Sequence, residues 1–535
     1  MGFRWVGPLL LASLMVALAS LVLAYPSSLW AGDDYSLEYL AAACNAGARL
    51  NDLAFYRTGT MGYHPAVAFY VFSWLAAFAA LGRGALGSDL TFFDRLIENA
   101  PLLFASFKIC GILMTGLLVL AWRRSAARLA PAGVLLVALA LYFVVTPQSV
   151  FRSVNPLTET FALAVNALFV LALVRLAQDP LRIWPYVLCG IATAFAYLLK
   201  VSFLYVWGAL LAAFAYLALF GVRPLGVASV LRLLRGLLVF HIVSIGLIYA
   251  VGLTVIGPFY FAALRRLHWA IFTHGPGSEA NASLADVLQS ITISWDSGAT
   301  ALPVVMVVAS SLLLAVAIAT LRRQISPFAG AVAVGAAMAA LASVAAVLTR
   351  YSETYVVGVA ATVPLLFVAA WYAAGDRRAR RLVVAIAVGV VLLSAWRAAP
   401  AIDDLFAAKV SASSKAAADA QAIAGIAGSD ATLLYLYRAP MVGFGKGYVA
   451  YHCEVPHIND ALLLADRNEQ SSMARSVKEP NFVVVDKIYS STEAEVRSGK
   501  NLDPINAVKT VWHDGDELIA LDKVWLIRRA RSPGG

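Results

Sequence analysis

"PAVAFYVFSWLAAFAAL", Pro65 to Leu81, is apolar throughout, and whether it crosses the bilayer decides the orientation of every helix after it. Counted as a span, it puts the later arginine clusters on the side opposite Arg4. Laid in the outer interface as a surface helix, it leaves them all on the side of Arg4. Those clusters are Arg123, Arg124 and Arg128; Arg175 and Arg182; Arg223, Arg232 and Arg235; Arg322 and Arg323; and "DRRARR" at Asp376 to Arg381. Lys and Arg concentrate in cytoplasmic loops, so the interfacial reading is preferred and the side of Arg4 is inside. Residues 31–100 then form one large external loop, and residues 257–300 a second.

The 535 residues are 61% hydrophobic and 13% charged, and their mean hydropathy is +0.77. This is the composition of a polytopic membrane protein. The net charge of +10 sits in short clusters between apolar runs, where it sets topology, and a nucleic-acid partner is discounted. Apolar stretches able to cross a hydrocarbon core of about 30 Å run near 6–27, 101–121, 131–147, 156–176, 184–200, 201–221, 237–257, 301–321, 327–349, 354–375 and 382–399, which makes about 11 helices. The first run is too long for the apolar core of a cleavable signal and is read as a retained span.

After Ala399 the composition changes. "ATLLYLY", "NFVVVDKIYS" and "AVKTVWHDGDELIALDKVWLIRR" are short runs of β-branched and aromatic residues, separated by turn formers and by the Ala-rich, helix-prone segment from Ala407 to Ala427. They predict a small α/β domain over 400–535 on the external side, with a hairpin turn through Asp514-Gly515. The expected architecture is an all-α polytopic membrane domain over 1–399 followed by this α/β domain.

Ionisable residues near the external helix ends are few. They are Asp33, Asp34, Glu38, His64, Arg152, Glu159, Lys200, Arg350 and Glu353. Ringed around one outer cavity, they set carboxylates from the first loop against cations from later connections. Lys200, alone in "AYLLKVSFLYV", is a functional candidate because an intramembrane charge is costly; its other reading is snorkelling to the interface. Such a site suits transfer of a group from a phosphate to a hydroxyl or amine. A carboxylate takes the acceptor's proton while Arg and Lys stabilise charge on the departing phosphate. Neighbours on a helix do not share a face, so one of Asp33 and Asp34 is the base, and the other orients the acceptor or holds a divalent metal ion if one is used. Alternatively, either caps the helix beginning near Tyr35.

"LWAGDDYSLEYLA", "GYHPAVAFYVFSWLAAF", "RSVNPLTETFALAVNALFVLALVRLA", "FAYLLKVSFL" and "TRYSETYVVGVAATVPLL" together resemble the ordered landmarks of the GT-C membrane glycosyltransferases. They are most similar to glycosyltransferase family 39, which includes protein O-mannosyltransferases and the lipid A aminoarabinose transferase. The likeness covers about the first 375 residues. It implies a GT-C-like fold and transfer of a sugar from a polyprenyl-phosphate donor to a lipid, glycan or protein acceptor at the outer membrane face. It also implies that Asp33 stands at the family's catalytic Asp, Asp34 at the following Glu, His64 at the His-Pro or Lys-Pro position, and Lys200 and Arg350 near the donor phosphate. Arg152, from the ring of ionisable residues, is a further candidate to hold that phosphate. Here Asp-Asp replaces the family's Asp-Glu.

Other features are placed more briefly. Glu159, Glu353, His268 and His274 border the acceptor side, the two histidines as a lid or as part of an interfacial helix with Arg265 and Arg266. "HCEVPH" at His452 to His457 lacks zinc-site spacing. "GFGKG" at Gly443 to Gly447 lacks the ending of a phosphate loop and reads as a bend. Asn281-Ala282-Ser283 is a sequon in the second external loop. Cys44 and Cys453 both fall outside, with no spacing that pairs them. Abundant Ala and Arg suggest a GC-rich bacterium, with the chain in the inner membrane and its last domain in the periplasm. The rival functional class is a transporter or lipid flippase, although no duplication of paired, interrupted helices is evident.

Overall fold

A computed structural model of the chain describes residues 6–25, 100–154, 158–222, 226–255, 284–348, 353–428, 433–436, 481–487, 491–498 and 512–530. They fall into two compact units. The first holds the described residues of 6–21 and 111–405, the second those of 22–25, 100–110 and 406–530.

The apolar runs become helices α1 (Val6–Ala24), α2 (Ala100–Ala126), α3 (Ala132–Val144), α4 (Pro147–Val154), α5 (Ala162–Gln178), α6 (Trp184–Leu199), α7 (Tyr205–Tyr216), α8 (Val227–Val255), α9 (Leu284–Asp296), α10 (Ala301–Leu321), α11 (Pro327–Leu348), α12 (Glu353–Ala373) and α13 (Arg377–Ala427). Seven of the described helices are long and apolar enough to cross a membrane, and the bent pair α3–α4 makes an eighth if it is one span. Shorter apolar helices of 10–17 residues occupy α1 from Leu11, α5 and α6. Along α8, Leu231, Leu234, Leu238, Ile242 and Ile245 are exposed at helical spacing. This apolar stripe is costly in water and at home in lipid.

Small residues bring the helices close. In α11, Ala331, Ala333, Ala336, Ala337, Ala339 and Ala340 are buried, so neighbouring backbones approach without large side chains between them. Where α6 meets α8, a Cβ on Gly236 would lie 2.4 Å from the Tyr186 ring and one on Gly190 would lie 2.7 Å from Val243. Among the described residues the arginines of these clusters stand at helix ends, as after α10 and at the start of α13, and contacts such as Tyr216 with Thr320 and Phe328 with Tyr372 draw such ends together. Arg128 there donates to Gln178 (3.1 Å), and Arg380 donates to the Ala374 carbonyl (3.1 Å).

At that end α10 closes in a Schellman turn. Arg323 donates its backbone N–H to the Thr320 carbonyl (3.0 Å) and Gln324 to that of Ala319 (2.7 Å). Arg323 thereby takes the left-handed conformation, with φ 55°, a position usually given to glycine. The strain places a cation where carbonyls leave a partial negative charge. Replacing Arg323 by Gly is expected to raise stability by about 1 kcal/mol, measured as a higher melting temperature in detergent.

Two expected spans differ from straight rods. The run at 131–147 divides into α3 and α4 at a bend of 90°, and the run at 201–221 opens with a 3-10 turn, Val201–Leu204, and closes with a π turn, Leu217–Gly221. A third difference is at the end of the helical region. The span expected at 382–399 and the helix-prone segment from Ala407 to Ala427 form one 51-residue helix, α13, with Pro400 inside it.

In the second unit, the β-rich runs yield β1 (Leu433–Leu436), β2 (Phe482–Asp486), β3 (Glu517–Ala520) and β4 (Val524–Arg528), with a short helix α14 (Glu493–Ser498) between β2 and β3. The sheet order is β1-β2-β4-β3. β1 runs parallel to β2, while β2 and β3 each pair antiparallel with β4. Val483, Val484 and Val485 of β2 are all fully buried, which explains its unbroken apolar run. Phe482, Val484, Val524 and Leu526 pack with Ile423 of α13 in one core. The buried carboxylate of Asp419, one turn before Ile423, accepts from the backbone N–H of Asp522 (2.9 Å) and Lys523 (2.6 Å). Helix α13 is thus tied to the β3–β4 hairpin, which turns at residues 521–523. The expected turn at Asp514-Gly515 is present but stands before β3; the strand expected on its other side lies outside the described residues.

Asp516 closes that turn. It accepts from the backbone N–H of His513 (2.9 Å) and Ala530 (3.1 Å) and from Arg529. Burial alone would raise its carboxyl, but these donors outweigh burial and hold it below the ordinary carboxylate range. A carboxylate lowered by folding contributes stability that is complete above its unfolded pKa, about 3.9, and is lost as pH falls through the lower folded value. Melting of the wild type and of Asp516→Asn should therefore differ most above about pH 4 and converge on further acidification.

Candidate functional site

The end of the first unit opposite the arginine clusters is built around the junction of α3 and α4. Pro147 has no N–H to continue α3 and disfavours helical geometry at Thr146, yet its fixed φ suits the first position of α4. Helix α3 therefore stops and α4 sets off at 90°. The carbonyl of Val145 is satisfied from elsewhere: it accepts from the backbone N–H of Thr300 (2.7 Å) and Ala301 (3.0 Å) at the start of α10. In a bilayer a broken helix is tolerated only where its freed groups find such partners.

Helix α4, "PQSVFRSV", carries Gln148, Ser149, Arg152 and Ser153, and all four are buried. Gln148 and Arg152 stand one turn apart on one face, Ser149 and Ser153 on another. The hydroxyl of Ser153 donates to the Ser149 carbonyl (2.7 Å). The α4 carbonyls of Arg152 and Ser153 accept from the hydroxyls of Thr160 (2.9 Å) and Thr115 (3.3 Å), so α2 and the 3-10 turn Thr158–Phe161 hold the end of the helix. The guanidinium of Arg152 lies 5.1 Å from the Phe151 ring centroid.

Lys200 occupies the same end. It sits between α6 and the 3-10 turn Val201–Leu204 with extended backbone (φ −166°, ψ 134°). Its Nζ lies 3.8 Å from the ring centroid of Tyr355, in the first turn of α12, a separation at which a cation is drawn to the ring face. Beside it, fully buried Asn166 donates to the Tyr205 hydroxyl (3.0 Å) and to the Ala162 carbonyl (3.0 Å).

Thr146, Gln148, Asp296, Ser297, Val356 and Asp404 are among the residues lining a cavity of about 310 Å³. Its wall includes the turn after α9, where Gly298 has φ +80° and stands against Ala401 and the Arg397 carbonyl of α13. Arg397 reaches back, donating to the Trp295 carbonyl (2.5 Å) with its guanidinium 3.9 Å from the Trp295 ring centroid. Thr300 and Ser394 hydrogen-bond through their hydroxyls (2.5 Å), fixing α10 to α13 just below.

Of the residues singled out in sequence, Arg152 and Lys200 thus stand at one end of the helices, and Glu159 and Glu353 reach it by backbone position, in the 3-10 turn Thr158–Phe161 and at the first residue of α12. Asp33, Asp34, His64, His268, His274 and Arg350 lie outside the described residues, as do Cys44, Cys453 and the sequon at Asn281. No group of three or more His, Cys, Asp or Glu able to hold a metal ion occurs among the described residues. Gln148, Tyr355, Asp296 and Asp404 were not singled out. Asp404 carried the same signal as Asp33-Asp34, an acid pair just past an apolar run, but sat in a stretch assigned to the C-terminal domain. Compared with known proteins, the chain matches no family model and no curated protein.

Proposed function

We propose that the chain is a GT-C-type glycosyltransferase that moves a sugar from a polyprenyl-phosphate donor to an acceptor at the outer membrane face, with Asp33 as general base. The observation that carries the reading is the gathering of buried Arg152 and of Lys200 at the end away from the arginine clusters, next to a polar cavity. A guanidinium and an ammonium at one end of the helices suit the phosphate of a lipid-linked donor, which each can meet by a charge-assisted hydrogen bond. The isoprenoid stays in the bilayer while its phosphate reaches Arg152, Lys200 and, by the resemblance, His64 and Arg350. Short helices α1, α5 and α6 complete eleven crossings in this reading, with the second unit outside a bacterial inner membrane. Asp34 orients the acceptor or binds a divalent ion, and Glu159, Glu353, His268 and His274 border the acceptor.

In the reaction, a lone pair of the acceptor oxygen or nitrogen attacks the anomeric carbon as Asp33 takes the acceptor's proton. The bond from that carbon to the phosphate oxygen breaks, and its electron pair leaves with polyprenyl phosphate, whose charge Arg152 and Lys200 balance. The test is incubation of the purified full chain in detergent with labelled polyprenyl-phosphate sugars. Release of polyprenyl phosphate that depends on an added acceptor is expected; its absence with every donor and acceptor overturns the reading.

One observation favours a second reading. Discontinuous helices such as α3–α4 mark substrate sites in many transporters. A transporter or flippase would move the labelled lipid between leaflets of a proteoliposome without cleaving it, which the same labelled donors reveal.

A further inference from the structure

The cavity beside α4 differs in charge from the groups just described. Two carboxylates, Asp296 at the end of α9 and Asp404 on α13, line it, and among the described residues no Lys, Arg or His does. Both acids are exposed, and no ion pair neutralises either of them among the described residues. Of the cations near Asp404 on α13, Arg397 is held over the Trp295 ring. Thr146 also lines the cavity; it is 1% exposed and its hydroxyl makes no hydrogen bond among the described residues. The remaining wall mixes apolar residues, among them Pro147, Val356 and Leu405, with Gln148 and Ser297. At about 310 Å³ the space is at the small end of ligand pockets, which begin near 300 Å³.

We propose that this cavity binds the ammonium group of a compact amine-bearing ligand, with Asp296 and Asp404 meeting the positive charge and Thr146 supplying a hydrogen bond. Two like charges lining one recess focus a negative potential into it, which attracts a cation and repels a phosphate. The backbone makes the site stiff: Gly298 is packed against Ala401, the Arg397 carbonyl and Pro147, so the lining elements are fixed before a ligand arrives. Gln148 lines this cavity one helical turn from Arg152, so a ligand seated here lies near that cation. The binding inference does not depend on the transfer reaction.

An ammonium group at this depth comes either free in solution or on a lipid headgroup, and the two sources are separated by the form of the probe. The purified full chain in detergent is titrated with ethanolamine and, at matched ionic strength, with ethylene glycol, its neutral counterpart of similar size. In parallel, the chain in nanodiscs containing phosphatidylethanolamine is compared with nanodiscs containing phosphatidylglycerol. The readout in all arms is melting temperature. A rise with ethanolamine but not with the glycol identifies a free amine, and a rise confined to phosphatidylethanolamine identifies a lipid. Asp296→Asn and Asp404→Asn, both at exposed positions, should each weaken the effect about tenfold, and added salt should weaken it too. Equal stabilisation by the neutral probe, no stabilisation by either amine, or unchanged amine binding in the double variant overturns the proposal. The comparison of probes on the wild type decides it even if a variant fails to fold.

Discussion

Asp33→Asn is expected to reduce release of polyprenyl phosphate by about a thousandfold while leaving the chain folded. A positioned general base contributes about 10² to 10⁴ in rate. Asparagine keeps the shape and the hydrogen-bonding reach of aspartate but has no basic oxygen to take the acceptor's proton. The loss should appear in kcat rather than KM, because in the proposed reaction the phosphate and lipid tail, and not the base, hold the donor. Arg152→Gln makes the useful contrast, since weakening a phosphate contact raises KM for the donor. Activity within a few-fold of wild type in Asp33→Asn would remove the carboxylate mechanism even if transfer itself were established. Asp34→Asn, measured alongside, assigns the base within the pair.

Gly298→Ala is expected to destabilise the first unit by about 3–4 kcal/mol, from two additive causes. A φ of +80° costs an L-residue about 1–2 kcal/mol. The new methyl would also lie 2.8 Å from the Ala401 Cβ and 3.0 Å from the Arg397 carbonyl oxygen, and overpacking of this kind costs about 1–3 kcal/mol. Neither obstacle is the far end of a flexible side chain, so relief requires α13 to shift from the turn after α9. Melting in detergent measures the loss. A D-alanine at 298, introduced by semisynthesis, keeps the positive φ without strain and directs its methyl elsewhere, so it should recover much of the stability. A change below about 1 kcal/mol for the L-alanine variant would show that the turn can open freely.

The membrane class was legible because its signal is local: about 20 consecutive apolar residues make a span. The strands β1 and β2 were legible for a similar reason, from "LLYL" and "FVVVD" bounded by turn formers. Pro147 marked where α3 had to stop, but not that α4 would turn through a right angle, because the direction depends on which distant groups satisfy Val145. Continuity of α13 through Pro400 was hidden by the usual expectation that proline ends a helix. Arg152 and Lys200 stood out because charge is rare in apolar surroundings. Gln148, Asp296 and Tyr355 are ordinary residues in their own segments, and their importance comes from the meeting of α4, α9, α12 and α13. No single-sequence pattern encodes that meeting.

The bond between the Val145 carbonyl and the start of α10 bears on biogenesis. The ribosome delivers the α3–α4 break to the translocon well before it delivers Thr300, so the nascent chain must wait with an open carbonyl and a polar short helix at its side. Water or the lateral gate of the insertion machinery has to shelter that joint until α10 arrives and closes it. Commitment of the early helices to lipid is in this way coupled to synthesis of the later ones, and a chain truncated before α10 should linger at the translocon as a substrate for quality-control proteases.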